Sequence, residues 1–173
     1  VRQIYLVPKI ESKTFSENII NDKNWDFEEG ISDGALIDWT DSANITPAVE
    51  ADTTSPNNFM IYRGQKSAKL TCAATSTGTI TLSATDPTNY ESEELNFSIW
   101  VYSRYASLVS PIIQIDSDTA TSGSAHSGGG WERLMVSATA TNVGSTIKVG
   151  LTFASNSAIY TVYADEAILT SGP

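Results

Sequence analysis

From Leu95 to Tyr102 the chain alternates. Leu95, Phe97, Ile99 and Val101 fall on one face of an extended segment, and Asn96, Ser98, Trp100 and Tyr102 fall on the other. A period of two is what a strand with one buried face requires, and this segment is predicted to be a central strand. The pattern recurs in shorter pieces. Ile80 alternates with Leu82, Leu134 with Val136, and Ile147, Val149, Leu151 and Phe153 with one another, while Leu70 and Cys72 share a side. Val109 to Ile115 is an apolar run broken by Pro111. Clusters of Gly, Ser, Thr, Asn and Pro separate these pieces, and no stretch long enough for a helix keeps a helical period. About eight short strands of this kind predict an all-β fold, an antiparallel two-sheet β-sandwich, because only closed or double-sheet arrangements hide so many strand edges.

The first sixteen residues stand apart. Ile4, Tyr5, Leu6 and Val7 have strong strand propensity, Pro8 ends the run, and a polar spacer follows before Phe15. Residues 1–16 are therefore read as an N-terminal extended arm, and residues 17–173 as a single domain. The arm is either an extra edge strand of its own sandwich or a segment that lies on a neighbouring molecule. Within the domain, Ile19-Ile20 is expected to begin a strand, Asn21 to Asn24 to turn, and Phe27-Glu28 to resume an extended path that ends at Gly30.

Composition narrows the functional classes. With 173 residues, 40% of them apolar, the chain can bury a core without staples. Ten basic against twenty acidic residues give a formal charge of -10, which repels phosphate backbones and argues against nucleic acid as a partner. No apolar run approaches the roughly 20 residues of a membrane helix, so membrane insertion is not expected. No signal segment is visible, which points to a chain made and left in a cytoplasm; the expected location is a virion surface if the protein is viral and extracellular otherwise. The single cysteine, Cys72, rules out an internal disulfide and falls on an apolar side, as a core residue would.

Catalytic chemistry is mostly missing. The one histidine, His126, lies in the Gly- and Ser-rich loop 116–130, which has no hydrophobic anchor, so a general base there would be poorly held. No nucleophile elbow and no phosphate-binding loop occurs. Glu28 with Glu29, Glu93 with Glu94 and Asp165 with Glu166 supply carboxylate pairs of the type a glycosidase needs, but an acidic chain shows such pairs by chance. The expectation is that the protein is not an enzyme. Asp116 and Asp118 fail as a calcium loop, since Thr121 stands where the turn needs Gly and Ser127 where the loop needs Glu.

Five pieces share a pattern. Asn18-Ile19-Ile20 precedes Phe27-Glu28-Glu29-Gly30 and Trp39; then come Arg63-Gly64 with Ser67 and Leu70, the strand Leu95 to Tyr102, Gly130-Trp131 with Leu134, and Tyr163-Ala164-Asp165-Glu166 with Leu169. In this order, over roughly residues 17–170, they resemble the carbohydrate-binding-module jelly rolls of the galactose-binding-like superfamily. Asn96 and Phe97 depart from the usual aromatic position, one residue is missing after Gly130, and Glu166 replaces a second Asp.

The resemblance implies one structural calcium ion, held by Glu28, Asp165 and backbone carbonyls of the turn 64–67, Lys66 among them. Oxygen ligands without His or Cys suit such a hard cation. The alternative is that Lys66, Lys69 or Arg63 partners the two carboxylates. Sugar stacking would fall to Trp100 and Tyr102 first, with Tyr62, Tyr105 and Trp39 as further rings and Asn96 and Arg104 holding hydroxyls. Trp25, Trp131 and Tyr163 match core positions of the family. The leading expectation is a non-catalytic phage or virion surface module that decorates or attaches, its arm fastening it to capsid or tail subunits. The alternatives are a carbohydrate-binding module of a secreted polysaccharide-degrading enzyme and a small glycosidase or lyase. A homo-oligomer is compatible with each.

Overall fold

A computed structural model describes residues 18–51, 60–84, 92–116, 118–140 and 146–172. The arm, with Ile4, Tyr5, Leu6 and Val7, lies outside the described residues, as does the loop 52–59. Among the described residues there are twelve strands: β1 (Ile31–Ser32), β2 (Ala35–Leu36), β3 (Trp39–Asp41), β4 (Ile45–Glu50), β5 (Ser67–Cys72), β6 (Gly78–Ala84), β7 (Glu94–Ser103), β8 (Val109–Ile115), β9 (Thr121–Ser122), β10 (Gly130–Thr139), β11 (Ile147–Phe153) and β12 (Tyr160–Ser171). β1 and β2 form a small hairpin. The rest form two five-stranded antiparallel sheets, in the orders β10-β7-β12-β5-β4 and β3-β6-β11-β8-β9. Among the described residues no helix is long and apolar enough to cross a membrane.

This is the predicted two-sheet sandwich. β7 is an interior strand, paired along its length with β10 and β12, and its Leu95, Phe97, Ile99 and Val101 are buried against the second sheet's Ile80, Leu82, Val149 and Leu151. Burying each such side chain contributes about 1.5–3 kcal/mol, so alternation on two facing sheets is enough to drive the layers together. Gly150 lets the strands of the second sheet pass: a Cβ there would lie 1.9 Å from the Ile80 carbonyl oxygen. Pro47 sits on β4, an edge strand, where a missing N–H costs least. Cys72 is a free, buried core residue.

Two local expectations are corrected. The turn expected at Asn21 to Asn24 is present, but Ile19-Ile20 and Phe27-Glu28 also lie in turns and bends, not strands, and Phe27 has a φ of 59°. The segment nevertheless runs beside β12, where the Ile19 N–H donates to the Leu169 carbonyl at 2.7 Å and the Ala167 N–H to the Trp25 carbonyl at 2.9 Å. The left-handed residue turns the Phe27 ring inward, where it is buried and stacks on Trp39 at 5.1 Å, and that burial offsets the backbone cost. The second correction concerns the loop after β8. His126 is its anchor: the ring is buried, Nδ1 accepts the Gly128 N–H at 2.8 Å, and Nε2 lies 3.0 Å from both the Val101 and the Gly130 carbonyls. With Nδ1 accepting, Nε2 carries the proton and donates. The imidazole is thus a bracket between β7 and β10. Glu132 closes the same loop by accepting from the Ser127 N–H and hydroxyl, bonds that lower its pKa.

Candidate functional site

Alternation on β7 has a second consequence, on the side away from the core. Trp100 and Tyr102 point outward, and pairing sets Trp131 opposite Tyr102 and Arg133 opposite Trp100 on one side, with Tyr163 opposite Tyr102 and Asp165 opposite Trp100 on the other. Lys69 of β5 stands opposite Tyr163, its ammonium 5.9 Å from the ring centre. Tyr62 reaches in from the loop before β5 and stacks on Trp100 at 4.1 Å. Tyr62 then leans on Trp131 at 5.4 Å, Trp131 on Tyr102 at 5.9 Å, and Tyr102 on Tyr163 at 6.2 Å. The outer face of the first sheet therefore carries one continuous row of five rings.

Trp131 and Tyr163, which match core positions of the family, stand instead on this outer face, half-buried. Their neighbours carry the reason: Leu134 and Val136 point inward, so Trp131 shares its side with Arg133 and Met135, and Val162 and Ala164 likewise put Tyr163 outside. Trp39 belongs to the other sheet, is buried, and donates its indole N–H to the Asn24 carbonyl. Because Tyr62 covers Trp100, the ring open to solvent at that end is Tyr62, 40% exposed. Asn96 lies farther along the same face, with its amide engaged by Ser137 at 2.6 Å and the Gly172 carbonyl at 2.7 Å. Arg104 and the half-exposed Tyr105 line a cavity of about 310 Å3 with Met60, Tyr102, Ile159 and Tyr163, which continues the ring row past the end of β7.

The junction of Glu28 and Asp165 forms, although not from two strands. A bulge in β12 between Asp165 and Ile168 leaves Asp165 on the outer side, and residues 62–63 fold over it. Its Oδ2 accepts the Tyr62 and Arg63 N–H groups at 3.1 and 2.8 Å, and Oδ1 accepts the Glu166 N–H at 2.8 Å. Glu28 Oε1 accepts the Gln65 and Lys66 N–H groups at 2.6 and 3.0 Å, while the Lys66 ammonium donates to the Glu28 carbonyl. Gly64 makes this approach possible: its φ is 78°, and a Cβ there would lie 2.0 Å from Glu28 Oε1. Both carboxylates face a cavity of about 260 Å3 with Trp25, Asp26, Gly64 and the Arg63–Glu166 ion pair.

Glu28 and Asp165 are the carboxylates that the implied calcium would use, and here both accept N–H groups of the turn; among the described residues no three His, Cys, Asp or Glu side chains stand close enough to share a metal. What the junction does is hold Tyr62. Asp165 is fully buried, and desolvation raises its pKa to about 7 in spite of its three N–H partners. Both of its oxygens are taken up by backbone N–H groups.

No protein-family model matches the sequence, and no curated protein matches it. Solved structures do. A family 61 carbohydrate-binding module, solved with β-1,4-galactotriose, superposes with a TM-score of 0.60 at 13% identity, over 91% of this chain and 100% of the module. The CBM22-1 xylan-binding domain of Paenibacillus barcinonensis Xyn10C gives a TM-score of 0.57 at 18% identity, over 84% of this chain and 90% of the domain. The fold is that of the carbohydrate-binding-module jelly rolls. The enzymatically active domain of tailspike protein 4 from bacteriophage CBA120 also matches, with a TM-score of 0.58 at 11% identity over 83% of this chain, but the jelly roll spans 21% of that domain's length.

Proposed function

We propose that the protein is a non-catalytic carbohydrate-binding module whose ligand lies across the outer face of β10, β7 and β12. The observation that carries this reading is the unbroken row of Tyr62, Trp100, Trp131, Tyr102 and Tyr163 on one sheet face. Apolar faces of pyranose rings stack on such surfaces, and aromatic rings supply large contact area at low entropic cost. The solved structures that match over nearly their full length are binding modules, which supports binding without catalysis.

The test is calorimetric titration with β-1,4-galacto-oligosaccharides and xylan, followed by tryptophan emission, because Trp100 and Trp131 stand in the row. Tyr62→Ala and Trp131→Ala are expected to weaken binding by about 1–3 kcal/mol each while the variants melt as the parent does. A well-folded parent that binds no glycan across a broad array would end the proposal. The tailspike likeness favours a second, finer reading, in which the module is carried on a virion surface.

A further inference from the structure

The ring row is bracketed by cations. Arg133 stands opposite Trp100 and is exposed; one of its N–H groups donates to Ser98 Oγ at 2.9 Å, which fixes the guanidinium beside the rings. Arg104, also exposed, lines the cavity at the other end of the row with Tyr102, Tyr105 and Tyr163. Among the described residues neither arginine has a carboxylate within ion-pair distance. The carboxylates that flank the rings are already engaged: Asp165 is buried under backbone N–H groups, Glu166 pairs with Arg63 at 2.8 Å, and Glu50 pairs with Lys69 at 3.6 Å. In a chain with ten basic and twenty acidic residues, two unpaired guanidiniums beside one aromatic row make a local positive site on a negative protein.

We infer that the ligand is an acidic polysaccharide, a uronate-bearing polymer whose carboxylates meet Arg133 and Arg104 while its sugar rings stack on the row between them. The inference rests on the carbohydrate-binding reading and specifies its substrate class. A planar guanidinium matches a carboxylate with two parallel N–H donors, and Arg133 keeps most of its donors for that purpose. Arg133 pairs with Trp100, and Arg104 follows Trp100 by four residues, just past the end of β7, a span of up to about 13 Å, so a polymer and not a single sugar reaches both. An otherwise acidic surface repels the same polymer elsewhere, which confines it to this face.

The experiment compares glucuronoxylan and polygalacturonate, each beside its own carboxyl-reduced form, with dextran sulfate as a generic polyanion. At least one acidic form is expected to bind about tenfold tighter than its reduced counterpart at low salt, with the advantage shrinking as salt rises. Arg133→Gln and Arg104→Gln should each weaken binding of the acidic form about threefold to tenfold more than binding of the reduced form. Equal binding of acidic and reduced forms would overturn this inference and leave the carbohydrate-binding reading standing. No binding of any form would overturn both. Dextran sulfate binding as tightly, with the same dependence on the arginines, would replace a uronate site with an indiscriminate anion site and overturn the inference.

Discussion

Asp165 is a buried carboxylate that holds a loop. Its two oxygens satisfy three backbone N–H groups, two of them in the segment that carries Tyr62 onto Trp100. Burial raises its pKa from 3.8 to about 7. The folded protein therefore holds this proton more tightly than the unfolded chain does. The stability that follows is fully present below about pH 4 and is lost as the pH rises to about 7. In chelator, the melting temperature of the parent relative to Asp165→Asn is expected to fall across that window and to level off above it. A bound calcium would favour the ionised form and reverse the slope, so a parent that gains on the variant as pH rises with calcium present would restore the ion. Part of this was legible in the sequence. Glu28, Asp165 and the turn around Gly64 were expected to meet, and they do. That the turn would offer N–H groups was not, because peptide orientation in a short turn depends on positive φ at Gly64, which residue type permits but does not dictate. Trp131 and Tyr163 depart from the family's core positions for a different reason: strand parity, readable from Leu134 with Val136 and from Val162 with Ala164, sets them on the outer face.

At the scale of elements, strands with a clean period of two were readable and the connections were not. The pieces β8 and β11 run over Val109–Ile115 and Ile147–Phe153, where alternation or an unbroken apolar run marks them. Residues 19–28 carry apolar residues too, yet turn, because Ile20 and Phe27 are buried from a curled backbone whose hydrogen bonds go to β12 and to side chains such as Asp38 and Asp26. The loop 116–130 read as unanchored because its anchor is polar. His126 spends both ring nitrogens on backbone groups of Val101, Gly128 and Gly130, at the point where β10 begins and one residue before Trp131. His126→Ala leaves those buried groups without partners and is expected to cost about 1–3 kcal/mol. Amide exchange should quicken at Gly128, Gly129 and Ser107, and glycan affinity should drop with the loosened start of β10. An unchanged melting temperature and exchange pattern would show that the loop is held by its backbone pairing alone.

For the molecule as a whole, the sandwich was the most legible feature because it depends on summed burial across many positions, and errors of one or two residues do not move a strand to another layer. Which ligand the sandwich serves depends on a few side chains on one face, and there the register between β10, β7 and β12 decides what a linear sequence cannot. The arm belongs to the same scale. Ile4, Tyr5, Leu6 and Val7 form an apolar group that needs a surface to cover. If that surface is a neighbouring subunit, as the virion reading requires, removing residues 1–16 should leave the melting temperature of the jelly roll nearly unchanged and its glycan affinity intact, while any self-association or attachment is lost. In the solitary full-length chain the arm should then exchange fast and be cut first by protease. If the arm instead extends one of its own sheets, its removal bares an unpaired edge, and the truncated protein should lose several kcal/mol or aggregate. An arm that proves protected and stabilising in a solitary chain would remove the support that the virion reading draws from it and leave the carbohydrate-binding face as the function.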